Sequence, residues 1–279
     1  MVGERANERV GGTRFGDVRW VEETGSTNDD LMRVAADGAP EGIVLAADHQ
    51  TAGRGRLGRN WTAPAESSLL VSVLLRPPAA VAASVAMAAS VALVDAISAV
   101  TGLTVRVKWP NDLVWPGDGS ADDRKLAGLL AEANWPAPSD ITAGWQPPPP
   151  DERVVVVVGS GVNVNWPSAM PAELAETATA LNQLVGRPVD RLDLLVEYLL
   201  RLDDIYGELV DRRDAAVVAG PWRAGLATLG RLVRVDLGTE QVKGRAVDVT
   251  DDGRLVVETA AGERRVFATG DVVHVRPVG

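Results

Sequence analysis

The pattern of apolar residues changes late in the chain, and this change constrains the fold more than any other feature. Apolar residues first recur at helical spacing over 190–212, where Asp190 can cap the helix. Five short runs of alternating apolar and polar residues then follow, separated by turn signals such as Asp252-Gly253. We therefore expect a larger domain over 1–222 and a small five-stranded β-barrel over 226–279.

The larger domain contains strand-like runs at 68–75, 104–109, 125–133 and 153–158, and an apolar helical run at 79–100. Strands with few helices between them indicate an α+β fold with a mixed sheet and flanking helices. The helical run is a weak match to a membrane span, because it is rich in alanine and contains serine and aspartate. We expect it to be a buried helix and expect no membrane partner.

Composition excludes several kinds of site. The chain has 279 residues, no cysteine, two histidines and a net charge of -10. Without cysteine there is no disulfide, thiolate zinc site or cysteine nucleophile, and two histidines leave little for a metal site, so we assign no metal-binding residue. The acidic balance argues against a nucleic acid as the main partner. The N-terminal stretch lacks the apolar core of a signal peptide, so we expect a cytoplasmic protein.

The stretch GRGRLGRNW at 53–61 matches the dinucleotide-binding pattern G-x-G-x-x-G letter by letter. That pattern binds pyrophosphate only when a helix opens on its last glycine, and here Pro64 and two serines follow. The Lys-Ser/Thr pair of a phosphate-binding P-loop is also missing. What remains is a glycine-rich loop whose arginines suit phosphate or carboxylate, or else a solvated surface loop. We expect it to be mobile without ligand.

Two further stretches and two residues beside or within the arginine loop present groups that a ligand could use. TGSTND at 24–29 can cap a helix, hold a polar ligand ring, or do both. Gln50 offers an amide and Trp61 offers a flat surface for stacking. KWPNDL at 108–113 places polar groups at a strand edge, although Pro-Asn-Asp is also simply a good turn.

Two more stretches place a charge or glycines in apolar strands. Lys125 begins the apolar run RKLAGLLAE, where it either meets an anionic ligand or extends to water at the strand end. VVVVVGSGVNVNW puts Gly159 and Gly161 at the end of a buried strand, with Asn163 next. Glycines there let a ligand or a backbone approach closely.

Taken in order, these stretches resemble the catalytic domain of biotin protein ligases. The motifs STN, Q-x-x-G-R-G-R-x-G-R-x-W, KWPNDL, KLAG-x-L-x-E and G-x-G-x-N follow one another over 26–165, and a small C-terminal barrel agrees with the family's terminal domain. The resemblance implies a catalytic domain like that of class II aminoacyl-tRNA synthetases and an SH3-like C-terminal barrel. It implies an enzyme that forms biotinyl-5'-AMP from biotin and ATP, with Mg2+, and transfers biotin to a lysine of the biotin carboxyl carrier domain of acyl-CoA carboxylases.

The resemblance also assigns roles by position within the motifs. It implies catalytic groups at Lys125, Arg54, Arg56 and Asp112. It implies biotin contacts at Ser26, Thr27, Asn28, Gln50, Gly53, Arg54, Gly55, Arg56, Lys125, Gly128, Gly159 and Gly161. It implies contacts to ATP or the adenylate at Arg56, Arg59, Trp61, Lys108, Asn111, Lys125 and Asn163.

Two other functions are compatible with the residues: a lipoate or octanoyl ligase of the related fold, and a non-catalytic nucleotide-binding regulator. The pair of motifs GRGR-x-GR-x-W and KWPND favours biotin. Only 25 residues precede the STN turn, too few for the DNA-binding module that some members carry, so we expect a monofunctional enzyme without DNA binding. The proline-rich insertion at 134–152 is expected to be an exposed loop.

Overall fold

The computed structural model describes residues 2–116, 123–134, 148–167, 170–268 and 270–274. The helices in these ranges are α1 (Val2–Val10), α2 (Thr27–Ala36), α3 (Val85–Thr101), α4 (Leu181–Val185), α5 (Arg191–Arg212) and α6 (Ala216–Ala224). The strands of a larger sheet are β1 (Asp17–Thr24), β2 (Ile43–Gln50), β3 (Ser68–Leu75), β4 (Arg106–Lys108), β5 (Asp112–Trp115), β6 (Arg124–Asn134) and β7 (Val155–Asn163). The strands of a smaller sheet are β8 (Leu232–Asp236), β9 (Gln241–Val249), β10 (Leu255–Thr259), β11 (Arg264–Phe267) and β12 (Asp271–His274). Most of the predicted proline-rich insertion, 135–147, lies outside the described residues.

The larger sheet has seven strands in the order β1-β2-β3-β7-β6-β5-β4. β1 and β2 run parallel, and the other neighbouring pairs of this sheet are antiparallel, which confirms the predicted mixed sheet. Helices α3 and α5 pack together over the main core, whereas α2 contacts β2, β3 and β7 through a second apolar cluster. Strand β3, SLLVSVLL, is buried at every position because it lies between these layers.

Strand β7 is longer than the sequence suggested. It runs on to Asn163 because its residues keep pairing with β3 on one side and β6 on the other. Gly159 and Gly161 therefore lie inside the strand and not at its end, which corrects the sequence prediction. Strands β1 and β5 were not predicted, since β1 buries only Val18 completely and β5 has four residues.

The apolar run before β4 forms a buried helix, as predicted. A 3-10 turn over Ala79–Ser84 leads into α3, and the helix is capped at its C-terminus by Gly102 in the left-handed region with φ +74. By length and composition the segment Ala79–Thr101 could cross a membrane. However, 67% of its most apolar stretch of 18 residues is buried inside the protein. It packs against α5, whose predicted N-cap is confirmed because the Asp190 carboxylate accepts the Leu192 N–H at 2.7 Å.

The smaller sheet has its five predicted strands in the order β11-β10-β9-β8-β12, with every neighbouring pair antiparallel. The chain reaches it along the edge of β4. There the Val107 N–H donates to Gly225 O at 2.9 Å, and Val107 O accepts from the Ala227 N–H at 2.8 Å. The likenesses to synthetase and SH3-like domains, and the domain boundaries at 222 and 226, stay predictions.

A buried carboxylate joins the two parts of the chain. The Asp123 side chain, just before β6, is 5% exposed and accepts a hydrogen bond from Arg231 at 2.8 Å. Its other close partner is His274 Nδ1 in β12, at 3.0 Å. Burial by itself would raise the pKa of Asp123, but the hydrogen bond with His274 and the charge of Arg231 outweigh burial and lower it below its ordinary value.

Replacing this carboxylate should weaken the fold in a pH-dependent way. We expect Asp123→Asn to lower the free energy of unfolding by about 2 kcal/mol at neutral pH, since a hydrogen bond to a charged group is lost. Folding lowers the pKa of Asp123, so its contribution is fully present above the unfolded pKa near 4 and disappears as the pH falls through the folded value. Urea unfolding at a series of pH values measures the difference.

The matched control is Asp204→Asn, on an exposed position of α5. It should leave the stability nearly unchanged at neutral pH. A difference between wild type and Asp123→Asn that stays constant as the pH falls well below about 4 would contradict the assignment.

Candidate functional site

A cleft beside the N-terminus of α2 brings the separate sequence motifs together. Its walls come from the first turn of α2, the loop at 53–61, the turn between β4 and β5, strands β6 and β7, and the start of β12. The predicted site residues that line it are Ser26, Thr27, Asn28, Gln50, Arg54, Gly55, Arg56, Arg59, Trp61, Lys108, Asn111, Asp112, Lys125, Gly128, Gly159 and Gly161. Gly53 and Asn163 do not line the cleft.

The STN turn begins α2, and its residues are buried against the sheet. Ser26 is the N-cap, because its side chain accepts the Asp29 N–H. Gln50 Oε1, at the end of β2, accepts from the Thr27 N–H at 2.7 Å and from the Thr27 hydroxyl at 3.0 Å. The amide oxygen of Gln50 is therefore used within the protein, and its Nε2 group is the part that can donate to a ligand.

Ser72 is a site-forming residue that the sequence interpretation missed. Its hydroxyl lies fully buried in β3, donates to Asn28 Oδ1 at 2.6 Å, and is 2.7 Å from the Thr27 hydroxyl. A hydroxyl in the middle of an otherwise apolar buried strand was the available signal. Ser160 in β7 was missed in the same way: it lines the cleft and lies 3.3 Å from the Tyr198 hydroxyl, whose pKa burial raises to about 12.

Three glycines form the floor of the cleft. Gly128 on β6 and Gly161 on β7 are paired residues of adjacent strands. A Cβ at Gly161 would lie 2.8 Å from the Trp61 ring, and one at Gly128 would lie 3.3 Å from it. A Cβ at Gly159 would collide with Asn28 Oδ1. These positions are glycine because the Trp61 indole and the Asn28 amide lie directly against the strands.

Lys125 and Asp112 form an ion pair at the edge of this floor. Lys125 Nζ lies 2.7 Å from Asp112 Oδ1 and 5.5 Å from the centre of the Trp61 ring. Asp112 pairs with Lys108 in the β4–β5 hairpin and with Gly128 on β6, so three predicted residues meet at one register position. The side chain of Lys125 thus lies over the glycine floor, held by a carboxylate and an aromatic ring.

The loop at 53–61 is a small hairpin and not a dinucleotide-binding turn. The Trp61 N–H donates to Gly53 O at 2.9 Å, and the Gly55 N–H donates to Arg59 O at 2.7 Å. Between them lies one 3-10 turn over Arg56–Gly58 in place of a helix. The two ends of this hairpin approach each other closely at Gly53, since a Cβ there would lie 2.6 Å from Trp61 O.

The three arginines of the loop point to different parts of the molecule. Arg54 contacts Asp29 and Glu132, while Arg56 donates to Asn111 Oδ1 at 3.3 Å. Arg59 Nη2 lies 2.5 Å from the carboxylate of Asp271 at the start of β12. The loop therefore spans the cleft from α2 to the smaller sheet.

Burial weakens the hydration of one of these arginines. The pKa of Arg56 is lowered chiefly by its burial, although the nearby carboxylates of Asp112 and Asp271 oppose that shift. A guanidinium that has lost part of its hydration binds an incoming phosphate or carboxylate more strongly than an exposed one does. Asp271, together with Gly270 and Val272, was not foreseen in the sequence because it belongs to the smaller sheet.

Asn163 lies away from the cleft. Its Nδ2 donates to Thr179 O at 3.0 Å, and the residue is buried between β7 and the chain that precedes α4. Within the described residues there is also no group of three histidine, cysteine or acidic side chains that could hold a metal ion.

Comparisons with known proteins identify the class. Residues 20–139 match the family model of the biotin/lipoate A/B protein ligase family, and 228–275 match the biotin protein ligase C terminal domain. The chain is 37% identical, over 92% of its length, to the biotin--[acetyl-CoA-carboxylase] ligase of Mycobacterium tuberculosis, of which it covers 88%. It is 29% identical, over 87% of its length, to the bifunctional ligase/repressor BirA of Bacillus subtilis, of which it covers 70%.

A solved structure gives the same result. The biotin protein ligase of Aquifex aeolicus in complex with biotin and ATP is 25% identical and superposes with a TM-score of 0.73 over 94% of this chain and 100% of that one. The fold is thus that of a biotin/lipoate-type protein ligase. The chain belongs to the biotin protein ligase family and is a biotin ligase, which confirms the resemblance found in the sequence.

The glycine floor can be tested directly. We expect Gly159→Ala to lower the free energy of unfolding by about 1–3 kcal/mol, because its new methyl group displaces the buried Asn28 amide from its hydrogen bonds. Urea unfolding measures this. Gly220→Ala within α6 is the control, since a Cβ there meets nothing within 4 Å; equal stability of the two variants would contradict the close approach.

Proposed function

We propose that this biotin ligase activates biotin with ATP to biotinyl-5'-AMP and then transfers the biotinyl group to a lysine of a biotin carboxyl carrier domain. The observation that carries the proposal is the cleft itself, in which a buried polar end, a glycine floor and a group of cations are continuous. The names of the relatives support it, since the Mycobacterium tuberculosis protein is an acetyl-CoA-carboxylase ligase and the Aquifex aeolicus structure holds biotin and ATP.

The polar end of the cleft suits the ureido ring of biotin. Gln50 is held through its Oε1, which accepts from the Thr27 N–H and hydroxyl, and the Thr27 hydroxyl also lies 2.7 Å from the Ser72 hydroxyl. A ligand that offers both a carbonyl oxygen and N–H groups can pair with such a set without leaving buried groups unsatisfied. The ring is assigned to the floor formed by Gly128, Gly159 and Gly161, and its entry requires the Trp61 indole to move off Gly128 and Gly161.

The first step brings two anions together. An oxygen of the biotin carboxylate attacks the α-phosphorus of ATP, the bond to the β-phosphate oxygen breaks, and pyrophosphate leaves. Lys125, Arg56 and Arg59 line the cleft and offset the repulsion between carboxylate and triphosphate. ATP enters as its magnesium complex, so Mg2+ comes with the substrate and its ligands include phosphate oxygens.

Asp112 has a supporting role in this step. Its carboxylate holds Lys125 Nζ at 2.7 Å and fixes the ammonium group above the glycine floor. Lys108 and Asn111, on either side of the same turn, supply further polar groups toward the phosphates. Arg54 acts with Arg56 in the loop that closes on the adenylate, and Gly53 and Gly55 give that loop its freedom to move.

The adenine is assigned to Trp61, Arg59 and Asn163. Trp61 lies over the glycine floor, so stacking on the base requires its indole to move with the loop. Asn163 lies outside the cleft and is hydrogen-bonded to Thr179, so contact with the base requires a local rearrangement there.

In the second step the amine of the carrier lysine attacks the carbonyl carbon of the acyl-adenylate, and AMP leaves as an amide bond forms. An acyl-adenylate that escapes would be hydrolysed or would acylate other amines, and a closed loop limits both reactions. We propose no DNA-binding role, in keeping with the net charge of -10, and a cytoplasmic location. A lipoate or octanoyl ligase of the related fold is the second candidate for the carboxylate substrate.

The direct test is incubation of the protein with biotin, MgATP and an isolated carrier domain, followed by mass spectrometry of the carrier. We expect the mass of one biotinyl group on one lysine, and no addition when ATP is omitted or when lipoate replaces biotin. Modification by lipoate in preference to biotin would assign the second candidate. A protein that binds ATP but never labels the carrier would instead be a non-catalytic regulator.

Lys125→Ala should separate the two steps. We expect adenylate formation to slow by about 100-fold, because the cation that faces both reacting anions is lost, and transfer from preformed biotinyl-5'-AMP to slow by less than about tenfold. Biotin-dependent pyrophosphate exchange measures the first step, and single-turnover labelling of the carrier measures the second. Lys243→Ala, on an exposed position of β9, is the control, and equal slowing of both steps would contradict the role of Lys125.

A further inference from the structure

Glu132 lies just outside the cleft and contacts two of its walls. It is in the second half of β6, where it pairs with Val157 of β7, and its side chain is 27% exposed. Its Oε2 accepts a hydrogen bond from Asn28 Nδ2 at 2.8 Å and one from Arg54 Nη2 at 2.8 Å. One carboxylate thus connects the first turn of α2 with the arginine loop.

The hydrogen bonds of Asn28 fix the orientation of its amide. Nδ2 donates to Glu132 Oε2 and to Leu130 O at 3.2 Å, while Oδ1 accepts from the Ser72 hydroxyl at 2.6 Å. Both hydrogens of the amide are used. A flipped amide would place its oxygen against the Glu132 carboxylate, so the negative charge of Glu132 selects the observed orientation, in which Oδ1 faces Gly159.

The contact of Glu132 with Arg54 anchors the arginine loop near the start of its hairpin. Arg54 and Asn60 face each other across the hairpin, and the Arg54 guanidinium is held by Asp29 as well as by both oxygens of Glu132. Arg56 and Arg59, farther along the loop, contact Asn111 and Asp271 instead. Arg54 therefore ties the loop to α2 and β6, whereas Arg56 and Arg59 tie it to the turn between β4 and β5 and to the smaller sheet.

We propose that Glu132 is a positioning residue that couples the two ends of the cleft: through Arg54 it holds the arginine loop over the intermediate, and through Asn28 it sets the amide at the biotin end. This rests on the proposed function. The carboxylate touches no reacting atom, so its effect on the reaction passes through the two side chains that it holds. Because one carboxylate holds both the loop and the polar end, the site closes around its ligand only when the contacts with Arg54 and Asn28 are both formed.

The experiment compares Glu132→Gln, Arg54→Ala and the double variant with wild type. Biotin-dependent pyrophosphate exchange gives KM for biotin and kcat, and biotinylation of serum albumin in the absence of a carrier measures the escape of the adenylate. Glu208→Gln is the control, because Glu208 is a half-exposed residue of α5 that pairs with Arg212 far from the cleft. Thermal melting checks that each variant is folded.

We expect Glu132→Gln to raise KM for biotin by about tenfold with kcat changed by less than about twofold, since one charge-assisted hydrogen bond to Asn28 is weakened. Albumin labelling per adenylate formed should rise in Glu132→Gln and in Arg54→Ala, and the double variant should not exceed the larger single effect. Glu208→Gln should match wild type in both assays.

Three results would overturn the proposal: an unchanged KM and unchanged albumin labelling, a fall in kcat alone, or fully additive labelling in the double variant. If Glu132→Gln fails to fold, Arg54→Ala alone decides the loop contact, because Arg54 is 41% exposed in a surface loop. A wild-type protein without biotin-dependent exchange would overturn the proposed function and this inference together, whereas an active wild type with an unaffected Glu132→Gln would overturn the inference alone.

Discussion

The pairing of β6 with β7 through facing glycines is the constraint on which the rest of the site depends. Gly128 and Gly161 are opposite each other, and Gly159 lies two residues earlier on the same face of β7. Because these positions carry no Cβ, the Asn28 amide and the Trp61 indole reach the sheet itself. A flat floor of backbone results, bounded by polar groups at one end and by Lys125 at the other.

The charge distribution in the cleft is set by the ion pairs that surround the glycine floor. Three cations of the cleft pair with a carboxylate from a different part of the chain: Lys125 with Asp112, Arg54 with Glu132 and Asp29, and Arg59 with Asp271. These pairs keep positive groups close together in the folded protein, where like charges would otherwise repel. The smaller sheet belongs to the same arrangement, since it supplies Asp271 to the cleft and binds Asp123 just before the strand that carries Lys125.

Much of the fold could be predicted from the sequence where the periodicity was strong. The helix at 190–212, the buried helix before β4, strand β3 and the five C-terminal strands all had clear patterns, and the structure confirms them. Strands β1 and β5 had none, because an edge strand and a four-residue strand bury too little to impose alternation. The end of β7 was misplaced since two glycines look like a terminus in sequence, although pairing on both sides continues the strand through them.

For the site, the sequence by itself determined which residue types are available: a glycine-rich loop with three arginines, an STN turn, a lysine at the start of an apolar strand and two glycines in another. It also determined the family, because five motifs occur in a fixed order. The tertiary structure decided which side chains contact one another in the site. Ser72, Glu132 and Asp271 came from β3, β6 and β12, segments far apart in the chain, and Asn163 was directed away from the cleft. Hydrogen bonds and ion pairs act over a few ångströms, so they depend on which strands the fold sets side by side, and a linear motif carries no such information.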